Sequence, residues 1–553
     1  MLKQKSKNKN REEKHMKKRF FAMTMAALMT MSAMLAGCSN TDSGSTANTN
    51  SSVADSSEEQ SVAGYVTTYG EKQFDDVTIQ VEVFDRSNAP EGSTCVDNKW
   101  VDYINQEMNK VGINVEMVAV PRAEETTKIQ VMMASGTAPD IIFTYDRSLA
   151  EDYYAKGGTV KLNDYIDGEG QAKNFKNYVT ESIIDVCRNA DGDLWGLTAK
   201  RTSTVKNNLF VRKDWMEKAG LEVPTTVDEL YEVLKVFKEN NPDGRNDVIA
   251  LTPYFIGRAN VSILAQAFME SVADEVQYNV ASFCPVYTDD GYVEYLRFLN
   301  KLYNEGLMDP EYYANTNMEE NLVNGRIGFF ESGYEDNIRY GRLESLQELQ
   351  ADADVVAVPA LENVNDGKQY GIADPVNGMY IIIPKTCENV EAAVTYLDWM
   401  ASESGGFVLY NGFEGEHYEL IDGVPTVIDQ SYNDTDKDWL RMDLFLIGMP
   451  GYFQSVEELI ASEEMTFPGY EQHVRDNYSV AQTGIIRSVP SYVSPSQSVY
   501  YSDIDVVMEE NQVKCITCAP EDFDAQIGIY RAALKEAGMD AVVEERTAYF
   551  SGN

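Results

Sequence analysis

At 553 residues, 43% of them hydrophobic, the chain is long enough for more than one core, and 89 Asp and Glu against 46 Lys and Arg leave a formal net charge of −43. A chain this acidic is repelled by phosphate backbones and anionic headgroups, which argues against nucleic-acid binding and against electrostatic docking on a membrane surface. Seven cysteines spread over such a length make no small disulfide scaffold. Cys515 and Cys518 form a C-x-x-C without the strand-to-helix context of a redox pair or the second pair of a zinc site.

The chain opens with a basic stretch ending Met16-Lys17-Lys18-Arg19, an apolar run from Phe20 to Ala36, and Leu35-Ala36-Gly37-Cys38. That is the layout of a secretory signal, and the apolar run is slightly short for a bilayer-spanning helix. The last four residues resemble the lipobox of bacterial lipoproteins. The resemblance implies cleavage after residue 37, a diacylglycerol on the Cys38 sulfur and a place on the extracytoplasmic face of the cell membrane. Met16 is an alternative start. From Ser39 to about Ala63 the chain is polar and too poor in apolar residues to fold; 38–73 reads as a flexible tether.

Beyond it, Val77, Ile79, Val81 and Val83 alternate with Thr78, Gln80 and Glu82, which predicts a half-buried strand. Trp100, Ile104, Met108 and Val111 recur at helical spacing, Ile113, Val115 and Met117 alternate, a helix is expected over about 122–134, and Ile141-Ile142-Phe143 reads as a buried strand. The order βαβαβ predicts an α/β fold with a mainly parallel sheet. Such sheets bind ligands at the carboxyl ends of their strands. Here those ends are Phe84-Asp85-Arg86 and Tyr145-Asp146-Arg147, each with an aromatic, an acid and an arginine. Each triplet reads as part of a cleft or, equally, as a surface loop with an Asp–Arg pair. A second unit starts near residue 200 with a strand at Leu209-Phe210-Val211. The box Thr226-Val227-Asp228-Glu229 heads a helix with Leu230, Val233, Leu234 and Phe237 on one face. Met379 to Ile383 reads as another buried strand, and Glu391 to Met400 as a helix.

Several segments in order resemble the extracellular solute-binding proteins of family 1, the carbohydrate receptors of ABC importers related to maltose-binding protein. They are Gly136-Thr137-Ala138-Pro139-Asp140-Ile141-Ile142-Phe143, Gly192-Asp193-Leu194-Trp195-Gly196-Leu197, Leu209 through Trp215 with Ala219-Gly220-Leu221 and Pro224-Thr225-Thr226, Gly325 to Phe330, Ile383-Pro384-Lys385 through Trp399, and Gly412 to Tyr418. The resemblance implies a two-lobed periplasmic-binding-protein-like fold with the ligand between lobes that close by hinge motion. It assigns 74–198 plus 361–412 to an N-terminal lobe and 199–360 plus 413–553 to a C-terminal lobe. It also implies a monomer that hands its cargo to membrane permease subunits. Some relatives carry a calcium loop after the capping-box helix. Here Asp243, Asn246 and Asp247 would be its ligands, in a shorter loop with Val248 where an acid is expected, so a plain turn is the competing reading.

A sugar presents hydroxyls and C–H patches, so its site needs carboxylates, amides, arginines and aromatic faces. The expected ligand-binding set is Phe84, Asp85, Arg86, Tyr145, Asp146, Arg147, Trp195, Tyr254, Tyr334, Asn377 and Glu414. Trp195 reads as a stacking platform or as core. A secreted glycosidase using paired carboxylates is the alternative, as is a receptor for a peptide or another small solute. No H-E-x-x-H, G-x-S-x-G or P-loop is present, so no catalytic residue is assigned.

Overall fold

The computed structural model describes residues 74–189, 191–240, 242–253, 262–314 and 318–552. The leader, Cys38, the tether and Tyr254 lie outside the described residues. The alternating segment forms β1 (Val77–Asp85), followed by α1 (Lys99–Met108), β2 (Ile113–Pro121), α2 (Glu125–Ser135), β3 (Ile142–Thr144) and α3 (Arg147–Ala155). Asn98 caps α1, whose Trp100, Val101, Ile104 and Met108 face the core. Gly136 ends α2 in the left-handed region at φ 68°, a conformation that glycine adopts without strain. β1 and β2 pair in parallel from Val77–Ile113 to Asp85–Pro121, and Val81 bridges Ile141 in parallel. β1 is thus paired on both edges; the predicted alternation holds at Thr78 and Gln80, which are exposed, and fails at Glu82, which is buried. Its carboxylate accepts the Phe143 N–H at 2.7 Å, and burial pushes its pKa up to about 8.

β4 (Leu197–Arg201) leads into β5 (Asn207–Arg212), α4 (Lys213–Ala219), α5 (Val227–Asn240) and β6 (Ile249–Thr252). The capping box forms reciprocally: the Glu229 N–H donates to Thr226 Oγ1 at 3.2 Å and the Thr226 N–H to Glu229 Oε2 at 3.3 Å. Then come β7 (Ile327–Gly333), α6 (Asp336–Arg339), β8 (Val355–Val358), β9 (Tyr370–Ala373), β10 (Asn377–Ile382) and α7 (Val390–Met400). A hairpin of β11 (Tyr418–Ile421) and β12 (Val424–Val427) precedes α8 (Trp439–Leu444) and β13 (Gly448–Met449). The chain ends with α9 (Val456–Thr466), α10 (Glu471–Ala481), β14 (Ile485–Ser488), α11 (Pro495–Thr517), α12 (Phe523–Glu536) and α13 (Met539–Phe550).

Two four-stranded sheets organise two lobes, ordered β13-β4-β10-β3 and β6-β7-β5-β8. Neither is mainly parallel; the strands that carried the sequence expectation are β1, β2 and β3, and there the parallel arrangement is seen, β1 running parallel to β2 along its length and to Ile141 just before β3. β10 runs antiparallel to β3 and β4, and β5 antiparallel to β7 and β8. These strands adjoin the passages between lobes: β10 returns from the other lobe and so enters its sheet reversed. In the second sheet, Leu209 and Val211 of β5 face one apolar cluster and Phe210 the other, so both faces are covered.

The lobe boundaries also shift. Leu361, Tyr370 and Ile372, assigned from sequence to the N-terminal lobe, pack in the second lobe's core. Leu440, Leu444, Phe445, Leu446, Ile447 and Tyr452, assigned to the C-terminal lobe, pack in the first. β13 explains the second shift: it joins the first sheet beside β4 through Gly448–Lys200 and Met449–Arg201. The chain therefore passes between cores around 202–206, 374–376 and 453–455. The first two passages are laced together. Val205 bridges Ala373, the Asp374 N–H donates to Thr204 O at 2.9 Å, and the Asp374 carboxylate lies 3.4 Å from Arg201 and 3.2 Å from Lys206.

Candidate functional site

The carboxyl ends of β1, β2 and β3 converge beside these passages. Phe84, next to last in β1, has a buried ring, and Arg122, directly after β2, lays its guanidinium 4.8 Å from that ring's centroid and 5.4 Å from that of Tyr145. Tyr145 is 46% exposed, and its hydroxyl reaches Met449 Sδ at 3.5 Å. Burial of its hydroxyl end raises the phenol pKa, while the nearby guanidiniums of Arg201, Arg122 and Arg86 pull it back. Arg86 Nε donates to both oxygens of Asp443 at 2.9 Å, and burial raises the Asp443 pKa against the opposing pull of Arg86 and Arg122. The assembly is an exposed aromatic face ringed by fixed N–H donors, with the Asp443 carboxylate behind them. Such a surface can stack on a C–H patch and bond to hydroxyls at its rim.

The remaining expected residues divide. Asp85 is turned back on its own loop, accepting the Ser87 N–H at 2.8 Å. Asp146 caps α3 by accepting the Leu149 N–H at 2.9 Å. Arg147 pairs with Glu151 at 2.9 Å, donates to Val186 O at 3.3 Å and lies 5.9 Å from the Trp195 ring and 6.0 Å from the Tyr380 ring. Trp195 is only 2% exposed and packs in the first core. Asn377 is buried, its amide donating to Gly378 O. Tyr334 stands at the first passage, its N–H bonded to Lys206 O at 3.0 Å and its buried ring edge-on to Tyr478. Glu414 is exposed and bridges to Tyr418 of the β11–β12 hairpin.

Arg122, Arg201, Asp443 and Met449 were not expected. Arg122 was within reach, because it follows a strand as directly as Arg86 does. Asp443 lies 357 positions from its partner Arg86, and no local pattern signals that meeting.

The expected calcium ligands face cations instead. Asp243 accepts from Trp215 Nε1 at 2.7 Å and Lys218 Nζ at 2.8 Å, with Arg212 at 3.3 Å. Asp247 pairs with Arg245 at 3.0 Å and Arg326 at 3.1 Å. The carboxylates of Asp243 and Asp247 are thus opposed by fixed positive charge, and with Asn246 they offer fewer than the six or more oxygens that calcium takes. A second group of possible ligands, Glu416, His417 and Asp436, lies together near α1. His417 Nδ1 accepts the Phe413 N–H at 3.0 Å, so Nε2 carries the proton and donates to Asp436 at 2.8 Å. Lys99 pairs with both Glu416 and Asp436; an ammonium already fills the place of a cation.

The family model described as bacterial extracellular solute-binding protein matches residues 96–406. Lipoprotein LipO of Bacillus subtilis is 28% identical over 338 residues, covering 58% of this chain and 64% of that protein. The polygalacturonan/rhamnogalacturonan-binding protein YtcQ of the same organism is 23% identical over 324 residues, covering 55% and 61%. The matches thus span less than two thirds of these relatives. Among solved structures, an HMO-binding ABC-transporter-associated solute-binding protein of Bifidobacterium longum infantis aligns with TM-score 0.62 at 16% identity, covering 86% of this chain and 99% of that one. The alginate-binding protein AlgQ2 aligns with TM-score 0.59 at 17% identity, covering 86% and 98%. These likenesses show the α/β, two-lobed fold.

Proposed function

This chain belongs to the bacterial extracellular solute-binding protein family, and on that premise we propose that it captures a carbohydrate, an oligosaccharide in particular, and delivers it uncut to the permease subunits of an ABC importer. The observation that carries the reading is the exposed Tyr145 face, flanked by Phe84 and the guanidiniums of Arg86, Arg122 and Arg201 at the strand ends, next to the laced passages between lobes. A ligand stacked there touches the segments that set the angle between lobes, so binding favours the closed arrangement. The names of YtcQ and of the two structural relatives, each a carbohydrate binder, support the same class of ligand. Cys38, behind its signal-like leader, is the proposed lipid anchor, holding the receptor as a monomer on the extracytoplasmic face of the cell membrane. The name of LipO supports that location. Among the described residues no helix is long and apolar enough to cross a membrane.

A thermal-shift screen against a glycan panel tests the reading. A ligand at a hundred times its Kd adds about 2.7 kcal/mol to the stability of the folded state, and chromatography of the incubated glycan should return it intact. A panel without one stabilising glycan, or a glycan converted catalytically to shorter products, overturns the proposal.

A further inference from the structure

Two glutamates lie buried beneath the strand-end site, and one guanidinium stands between them and the exposed ring. Glu82 of β1 is 1% exposed and Glu125, the first residue of α2, 6%. Glu82 Oε2 accepts the Phe143 N–H at 2.7 Å. Glu125 Oε2 pairs with Arg122 Nη1 at 3.2 Å. The Oε1 atom of each has no partner among the described residues. The same Arg122 guanidinium lies over the Phe84 and Tyr145 rings, so a single group joins the buried acids to the exposed aromatic face.

We propose that Glu82 and Glu125 are positioning residues for Arg122: the two acids carry one proton between them, and loss of that proton draws the guanidinium off the Tyr145 face. The inference rests on the receptor reading above and goes beyond it, since it makes ligand affinity depend on pH. A buried carboxylate without a counter-charge takes up a proton rather than stay ionised, and one guanidinium cannot neutralise two carboxylates. Glu125, bonded to Arg122, keeps the charge; Glu82, bonded to a backbone N–H, keeps the proton. Burial holds that proton up to about pH 8, and the charge of Glu125 works in the same direction. When Glu82 ionises, two negative charges face the guanidinium from the core, while the other side offers it the faces of two rings. Attraction between opposite charges away from water outweighs a cation–π contact, so the guanidinium settles further inwards.

The neighbouring charges leave this coupling in place. Arg86, after β1, is engaged by Asp443 of α8 at 2.9 Å, and Asp443 also feels Arg122. Asp146, after β3, caps α3 and acts on Glu125 in the direction that favours a proton. Asp398 of α7 accepts from Asn174 and from the Phe175 N–H. Asp140 and Glu116 are bonded to Gln80, further back along β1. Arg122 is the cation that acts on Glu82, so its place follows the charge there.

The test is calorimetric titration of the full chain, from pH 6 to pH 9, with fructo-, gluco-, xylo- and galacto-oligosaccharides and with oligogalacturonate, whose carboxylates stay ionised throughout that range. At pH 9, one unit above the Glu82 midpoint, only about a tenth of the molecules keep the proton, so the tightest binder should bind roughly three- to tenfold more weakly than at pH 6. In Glu82→Gln, which mimics the protonated acid, affinity should stay level from pH 6 to pH 9. In Glu125→Gln the fall should move to lower pH, because Glu82 then ionises without the neighbouring negative charge. A purely structural role for either glutamate would change affinity at all pH values alike and would not move the profile. Infrared difference spectra of the unliganded protein between pH 6 and pH 9 should show a protonated-carboxyl band lost in wild type and missing from Glu82→Gln; Asp398 and Glu463, buried elsewhere, contribute alike to both. Level affinity in wild type, a fall in Glu82→Gln as steep as in wild type, or identical infrared differences in the two proteins would overturn the positioning role and leave the receptor reading standing. If none of these glycans binds at any pH, both fall together.

Discussion

In the second lobe, Arg212, Asp214, Asp243 and Lys218 meet beside Trp215; at the strand ends of the first, Arg86, Asp443 and Arg122 meet beside Phe84 and Tyr145. The residue types are the same, guanidinium, carboxylate and aromatic ring, and the outcomes differ. Arg212 is fully buried and spends itself on Asp214 at 2.7 Å through two nitrogens and on Gln350 at 2.8 Å. Asp243 is consumed by Trp215 and Lys218. At the strand ends the Arg86 side chain stays 36% exposed and that of Arg122 31%, next to a ring open to solvent. Chemistry of the same kind is scaffold where every bond is closed internally, and a binding surface where aromatic area and N–H donors are left over.

The largest effect should come from breaking the closed cluster. Arg212→Met leaves Asp214 and Asp243 buried without their guanidinium and should lower the unfolding free energy by about 3–5 kcal/mol in denaturant titration; an unchanged midpoint would mean that the cluster is no scaffold. Next is Glu82, directly behind the strand-end site and within Coulombic reach of Arg122. Burial holds its proton up to about pH 8, so between the ordinary carboxylate range and that value the folded state binds a proton that the unfolded chain has released. Stability from this group is therefore fully present in acid and is lost as pH rises towards 8. Glu82→Gln should be more stable than wild type by roughly 2–4 kcal/mol at pH 9, with the gap closing towards pH 5; parallel curves would contradict the burial argument. Tyr145→Ala should reverse the pattern of Arg212→Met. Stability should move by no more than about 0.5 kcal/mol, while affinity for the best glycan in calorimetry falls tenfold or more. The smallest effect is expected at the former calcium candidates: scans in chelator and in millimolar calcium should superimpose, because Arg212, Lys218, Arg245 and Arg326 already oppose Asp243 and Asp247.

What could be read from the chain was local or periodic. The reciprocal cap of Thr226 and Glu229 and the buried stripe Leu230, Val233, Leu234 and Phe237 are encoded within a few residues of one another. The end of β1 was found where its alternation stops, and that of β3 where its short apolar run stops. What was missed is non-local. Asp243 reads as a cation ligand until Arg212 and Lys218 arrive from other elements. The segment holding Leu440 to Tyr452 is apolar enough for either core, and pairing of β13 with β4 decides which. Trp195 advertises a platform by its residue type, and packing on Tyr380 at 5.6 Å makes it core.

The most direct test of the central claim is a crystal structure with the tightest-binding glycan. A sugar ring stacked on Tyr145, with hydroxyls within hydrogen-bond reach of Arg86 and Arg122 and the ligand contacting both lobes, is the predicted result. A glycan bound on one lobe alone, leaving Tyr145 bare, would contradict it.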